Sequence, residues 1–464
     1  MNVLPLSSFC HDGCIFCSHK NTPRDDSRSS GFYRCRRSFE EVMEHINFLD
    51  PEKRVVIGES ATKISEGEPF MWKGVEKTIT AVRSHIGGNV ISITTSGGFI
   101  GEDFFNIITA AAPLEINFSL NSFNPKVRDR IVSDGRTARV FENLKRLSGY
   151  GGSLKMNVSL MAINEEITPL TIIAEDIENL RKIENINLIK VFLPRFAGEL
   201  FLKFFKNYDE FTAYAERIYS TLSGMNAFKK TPVVLEPLAP PDTRVTVHAV
   251  TPGSTACRAG IEPGDEIISV NGQKPRSRSE AYQFIKKTAG TLVLSVNESK
   301  PGGTDKGSNK TITFEDFNGN SEGAGGMIFV SDIDPVELDR FVEINRELKI
   351  ENANAAALTT VLSESYMRTV FLENEILNIK PVAVKNVNFR GNIDCAGLLT
   401  LKDIETAMSG AVQKKSESKT GGADQKYLKN IIIPGVMFDH LGFDLNGERL
   451  DELKEKFETN FIVI

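Results

Sequence analysis

Three of the six cysteines stand within eight residues, in the order Cys10-His11-Asp12-Gly13-Cys14-Ile15-Phe16-Cys17. Loops this short close poorly as disulfides, yet their thiolates can converge on one metal centre. An iron–sulfur cluster fully held by protein takes four cysteines, so a three-cysteine loop implies one iron left open to another ligand. A structural zinc knuckle completed by His11 or His19 is the competing use of such a loop. Cys35, Cys257 and Cys395 are isolated in sequence, so one cluster is expected and no second. Cys35 lies among Arg34, Arg36 and Arg37, guanidinium groups that would favour its thiolate if they are close in space.

At 464 residues the chain is too long for one ordinary core, and length alone suggests roughly two to four domains. No apolar run approaches the ~18 residues of a membrane span, and the first ten residues lack the pattern of a secretory leader. A cytoplasmic protein with no membrane partner is expected. The formal charge of −6 gives no global attraction to polyanions, so no nucleic-acid partner is expected either.

Up to residue 238, short apolar runs such as RVVIG (54–58), NVISITTS (89–96), LEINFSL (114–120), KMNVSLMAI (155–163) and INLIKVFL (186–193) alternate with amphipathic stretches. Such repetition predicts a parallel sheet with covered faces, either open or closed into a barrel. From Pro240 the pattern changes to short strands and glycine turns, which predicts a small separate β-rich domain over 239–300. A third, α/β domain is expected over 301–464. The stretches KPGGTDKGSNK (300–310) and QKKSESKTGGADQK (413–426) read as exposed loops or linkers from their composition.

The cysteine spacing, with Phe16 before the last cysteine, resembles the signature of the radical S-adenosylmethionine (SAM) superfamily, and the βα repetition resembles that family's partial (β/α) barrel. The resemblance implies a [4Fe–4S] cluster on Cys10, Cys14 and Cys17. It also implies SAM chelated to the open iron through its amino and carboxylate groups, and reductive cleavage to a 5′-deoxyadenosyl radical that abstracts hydrogen from a substrate. A reductant such as a ferredoxin or flavodoxin would be the electron donor. Glu59 and the run Glu66-Gly67-Glu68-Pro69 both resemble the family's Gly-Gly-Glu segment, which meets the methionyl ammonium; a carboxylate suits an ammonium, and acids also open helices without further purpose. By the same resemblance Ser96, Ser119 and Asn121, at strand ends, are candidate cofactor contacts, with Asn157 a further polar group on the next strand. Arg128 and Arg130 are candidates for a substrate carboxylate or phosphate.

The segment TPGSTACRAGIEPGDEIISVNGQKPRSRSEAYQFIKK (251–287) resembles a PDZ domain, which implies a peptide or protein partner added to a sheet edge. VNFRGNIDCAGLLTLKDI (387–404) and NIIIPGVMF (430–438) resemble the domain of unknown function 512 found in radical SAM proteins akin to nitrogenase- and molybdenum-cofactor maturases. In those relatives PDZ precedes the cysteine loop, whereas here it follows the radical domain. Two readings result: an enzyme of cofactor maturation or protein modification, and a PDZ-centred peptide-binding scaffold whose cluster is structural or carries electrons.

Overall fold

The computed structural model describes residues 2–17, 33–34, 36–60, 64–227, 229–240, 242–298, 309–319, 323–417, 429–439 and 441–464. His19, Cys35 and the 418–426 part of the lysine-rich stretch lie outside them. The described residues form two compact units, one ending at Pro237 and the other running from Leu238 to Ile464 with Asn226–Lys229.

The first unit carries the strands β1 (Asn2–Val3), β2 (Tyr33–Arg34), β3 (Val55–Ile57), β4 (Ile64–Ser65), β5 (Ile91–Thr95), β6 (Leu114–Asn121), β7 (Leu154–Met161), β8 (Ile186–Phe192) and β9 (Val233–Glu236). Seven of them form one parallel sheet in the order β1-β3-β5-β6-β7-β8-β9, the partial barrel, while β2 and β4 pair separately. Strand alternation sorts the side chains by face. Ile91, Ile93, Leu114, Ile116, Phe118, Met156 and Val158 are buried on one face. Helices such as Val75–Ile86 and Thr137–Ser148 pack behind the sheet and contribute Ile79, Val82, Val140 and Leu144 to the core. The other face is polar: Thr94 is in register with Asn117, and Asn117 with Asn157. One row further along, Ser119 aligns with Ser159, and Ser159 with Lys190.

The second unit opens with β10 (Ala249–Val250), β11 (Glu266–Val270), β12 (Ala289–Asn297), β13 (Asn309–Asn318) and β14 (Met327–Ile328). Strands β11, β12 and β13 pair antiparallel in that order, β10 pairs with β14, and the helix Arg278–Lys287 lies between β11 and β12 in sequence. Their shared core joins Val247, Ile267, Ile285 and Leu294 to Phe314, Phe317 and Met327. This small domain thus runs past residue 300, where the glycine-rich stretch had marked an edge, because β13 returns to pair with β12.

The remaining strands, β15 (Ala355–Thr360), β16 (Ile379–Val384), β17 (Asn430–Ile433) and β18 (Asn460–Val463), form a parallel sheet in the order β16-β15-β17-β18. Alternate residues of β15 enter two cores: Ala355 and Ala357 join Phe341 and Phe371 on one face, while Ala356 and Leu358 join Ile404 and Leu453 on the other. Both faces are therefore covered, as parallel sheets require. The helix Leu401–Glu417 carries chain order into the stretch expected to be a loop from 413; Gln, Lys and Glu are good helix formers, and composition alone hid this. Among the described residues no helix is long and apolar enough to cross a membrane.

Candidate cofactor-binding site

The cysteine loop is seated by its backbone. Leu4 N–H donates to the Val56 carbonyl at 2.9 Å, which extends the sheet edge into the loop. The Glu66 carboxylate then accepts the N–H groups of Leu6 and Ser7 at 3.2 and 3.4 Å. In return Gly67 N–H donates to the Ser7 carbonyl at 2.8 Å and Glu68 N–H to the Phe9 carbonyl at 3.1 Å. A methyl group at Gly67 would collide with the Phe9 backbone, so only glycine allows this approach. On the other side Ile15 N–H donates to the Ile131 carbonyl at 3.0 Å, and a methyl at Gly13 would sit 3.0 Å from the Val132 carbonyl oxygen. The loop is thus held between the Glu66–Glu68 segment and the end of the helix Pro125–Val132.

Cys10, Cys14 and Cys17 form no disulfide and are half-buried, and Cys17 N–H donates to the Cys14 carbonyl at 3.2 Å. Among the described residues no three His, Cys, Asp or Glu side chains are already gathered as a metal site. Three thiolates repel one another, and bringing them together is work that metal binding performs.

Glu68 is buried beside this loop. Its Oε1 accepts the Thr95 hydroxyl at 2.6 Å and Phe70 N–H at 3.2 Å, and its Oε2 accepts Ser96 N–H at 2.7 Å and the Ser96 hydroxyl at 2.9 Å. Burial pushes the carboxyl above its ordinary range; the Thr95 and Ser96 hydrogen bonds oppose that, and the charge of buried Asp12 adds to the rise. Ser96 is consequently tied to Glu68 through both its hydroxyl and its N–H. Glu59 is placed differently, on the polar face, where its Oε1 accepts the Thr94 hydroxyl at 2.8 Å and Asn117 Nδ2 at 3.3 Å. Asn157 Nδ2 donates in turn to Asn117 Oδ1 at 3.0 Å. The result is a hydrogen-bonded row from Glu59, just past β3, across three strands to Asn157 Oδ1, a buried acceptor with no partner among the described residues.

Ser119 and Asn121 are not presented alike, because the register shifts between them and Asn121 pairs with Leu160. Asn121 takes a left-handed backbone, φ 70°, and folds its Nδ2 onto the Ser119 carbonyl at 3.0 Å. Its Oδ1 is buried and unpartnered. Arg128 does not face a ligand: it is wholly buried and forks onto Asp134 at 2.9 and 2.7 Å while reaching Thr137 at 2.7 Å. Arg130 is exposed and pairs with Glu166 at 2.5 Å. Asn117 was not singled out from sequence, although it continues the alternation of Glu115, Asn117 and Ser119 along β6, a pattern that marks a polar face. Ser122 was also passed over; its hydroxyl and the Phe123 N–H both bind Asp176, at 2.6 and 2.9 Å, and fix the turn after β6.

The donor set fits an iron–sulfur cluster and a polar cofactor: soft thiols in one loop, a neighbouring backbone that only glycine permits, and two buried amide oxygens awaiting donors.

Residues 4–169 match the radical SAM superfamily, and residues 246–296 match the PDZ domain. Among curated proteins, the GTP 3′,8-cyclase of Peptoclostridium acidaminophilum is 29% identical over 108 residues, 23% of this chain and 33% of that protein. The GTP 3′,8-cyclase of Nautilia profundicola is 25% identical over 158 residues, 34% of this chain and 46% of that protein. The probable periplasmic serine endoprotease DegP-like of Chlamydia trachomatis serovar D is 26% identical over 240 residues, 45% of this chain and 44% of that protein. The chain thus spans between a third and a half of the length of these relatives. Among solved structures, Streptococcus suis SuiB bound to S-adenosylmethionine aligns with a TM-score of 0.38 at 16% identity, covering 50% of this chain and 49% of that one. The structure described as anSMEcpe with bound AdoMet aligns with a TM-score of 0.35 at 13% identity, covering 48% and 57%. By these family matches the chain carries a radical SAM superfamily domain over residues 4–169, joined to a PDZ domain over residues 246–296.

Proposed function

We propose that the chain is a radical SAM enzyme acting on a substrate held over the polar face of its partial barrel. The observation that carries this is the cysteine loop clamped against the Glu66–Glu68 segment, beside a sheet on which Asn121 and Asn157 keep buried amide oxygens without partners among the described residues. When bound, a [4Fe–4S] cluster on Cys10, Cys14 and Cys17 would supply the electron that cleaves SAM to the hydrogen-abstracting 5′-deoxyadenosyl radical. The protein's own work is positional. Glu68 locks the end of β5 against the loop, which sets the distance between thiols and sheet. Glu59 meets cationic or hydroxyl groups of the cofactor through Oε2, since only Oε1 accepts a bond among the described residues. Ser119 and Asn121 border the nucleoside.

The GTP chemistry named for the cyclase relatives is a candidate reaction only in the sense that hydrogen abstraction from a nucleotide uses the same site. Cofactor maturation and protein modification remain the broader classes proposed, with an acidic one-electron carrier of the ferredoxin or flavodoxin type as reductant. The test is anaerobic reconstitution followed by dithionite reduction with SAM. Release of 5′-deoxyadenosine by wild type, and its loss together with the brown chromophore in Cys14→Ala, is expected. A chromophoric protein that releases none would favour the scaffold reading, in which the PDZ domain carries the function.

A further inference from the structure

The PDZ domain is closed by the chain itself at one end of its free sheet edge. Among the described residues β14 is hydrogen-bonded to β10 on one side only, and an extended peptide is ordinarily taken up by adding to such an edge. The segment that carries β14 is held to the helix Arg278–Lys287 at its far end. There Asp332 accepts Arg278 N–H at 2.7 Å and Ser279 N–H at 2.9 Å, and the Ser279 hydroxyl donates to the Asp332 carbonyl at 3.4 Å. Ser277 already caps this helix by accepting Glu280 N–H at 3.0 Å. With Asp332 added, the N–H groups of the first three helical residues are all taken.

The contact is deeply buried. The Asp332 side chain is 0% exposed and that of Arg278 2%, and their charged atoms lie 3.7 Å apart. Arg278 also donates to the Asp242 carboxylate at 2.5 Å and to the Asp242 carbonyl at 2.7 Å. Tyr366, from the helix Val361–Glu373 of the C-terminal sheet domain, is buried beside Asp332 and Ile333, and that burial pushes its phenol up. Arg276 ties the same end to Asp339 at 2.6 Å.

We infer that Asp332 is a clasp: the segment following β14 crosses to the start of the helix and occupies the groove that an extended peptide tail would need. A strand added along β14 advances ~3.3 Å per residue, so after roughly four residues it meets the buried Asp332–Arg278 contact. The PDZ domain therefore refuses peptide tails while the clasp is shut, and opening it requires uncovering a charged pair in which each member is costly to leave alone. This inference rests on the PDZ match and not on the radical chemistry, so the two fail separately.

The test uses the full-length chain with a mixture of random decapeptides bearing free C-termini and the same mixture amidated, read by affinity selection and mass spectrometry. Wild type is expected to retain neither mixture above background, whereas Asp332→Ala and Asp332→Asn retain free-terminus peptides at least tenfold better. Retention by wild type equal to that of the variants, or no gain in either folded variant, overturns the clasp. Should Asp332→Ala fail to fold, hydrogen exchange on wild type decides: protection of the 327–331 amides at least a hundredfold beyond an unstructured peptide is expected, and exchange within tenfold of that peptide contradicts it.

Discussion

Arg128 is wholly buried with its guanidinium forked onto Asp134, so its contribution is to the fold and not to a ligand. Burial alone would raise the Asp134 carboxyl, but the Arg128 fork and the Arg136 N–H outweigh it and hold the group below its ordinary value. A carboxyl lowered by folding stabilises the native state in full above its unfolded value of ~3.9 and loses that contribution as pH falls through the lower native value. Arg128→Ala should destabilise the first unit by about 3–5 kcal/mol by orphaning a buried charge, seen in denaturant melts, and shift acid unfolding to higher pH in circular dichroism. Lysine should not rescue, because it lacks the planar fork. The two glutamates separate at the same scale. Glu59→Ala should weaken SAM binding to the reconstituted protein by roughly tenfold, the worth of one charge-assisted hydrogen bond, with little change in melting temperature. Glu68→Ala should lower both, since four donors lose their acceptor; calorimetry beside a thermal melt distinguishes them.

Among the elements, β5 and β6 show how sequence pattern and tertiary packing divide the work. The run LEINFSL was legible as a strand, but its alternating Glu115, Asn117 and Ser119 form a polar face that the expectation of covered faces did not anticipate. What could not be read was the register shift that turns Asn121 away from Ser119, because a bulge depends on the partner strand. The helix Pro125–Val132 was equally hidden. Its Asn124 cap and Pro125 start are visible signals, but its eight residues offer too short a period to separate from a loop. Gly97 marks where β5 meets β6: at φ 79° a methyl group there would overlap the Phe118 ring. Gly67→Ala and Gly97→Ala should therefore differ in kind. The first displaces the cysteine loop and should reduce iron incorporation, read by iron content per chain, with a small thermal shift. The second breaks packing beneath the sheet and should lower the melting temperature by several degrees, equivalent to about 1–3 kcal/mol.

Across the whole molecule, the βα repetition, the switch to glycine turns near residue 240 and the later strands disclosed the partial barrel, the PDZ domain and the C-terminal α/β sheet. The thiol spacing disclosed the radical SAM domain. The extension of the PDZ core to Met327 and the clasp at Asp332 were not legible, because both join residues more than fifty positions apart through contacts that no local pattern encodes. Substrate identity is not encoded in a motif either; it depends on which groups the polar face presents, and that face was assembled from five strands. In the proposed enzyme three thiolates leave one iron of the cluster for SAM. The direct measurement is electron paramagnetic resonance of the anaerobically reconstituted, dithionite-reduced protein before and after adding SAM. A [4Fe–4S]⁺ signal whose g-values shift when SAM is added is expected, and a signal that SAM leaves unchanged would contradict the proposed function.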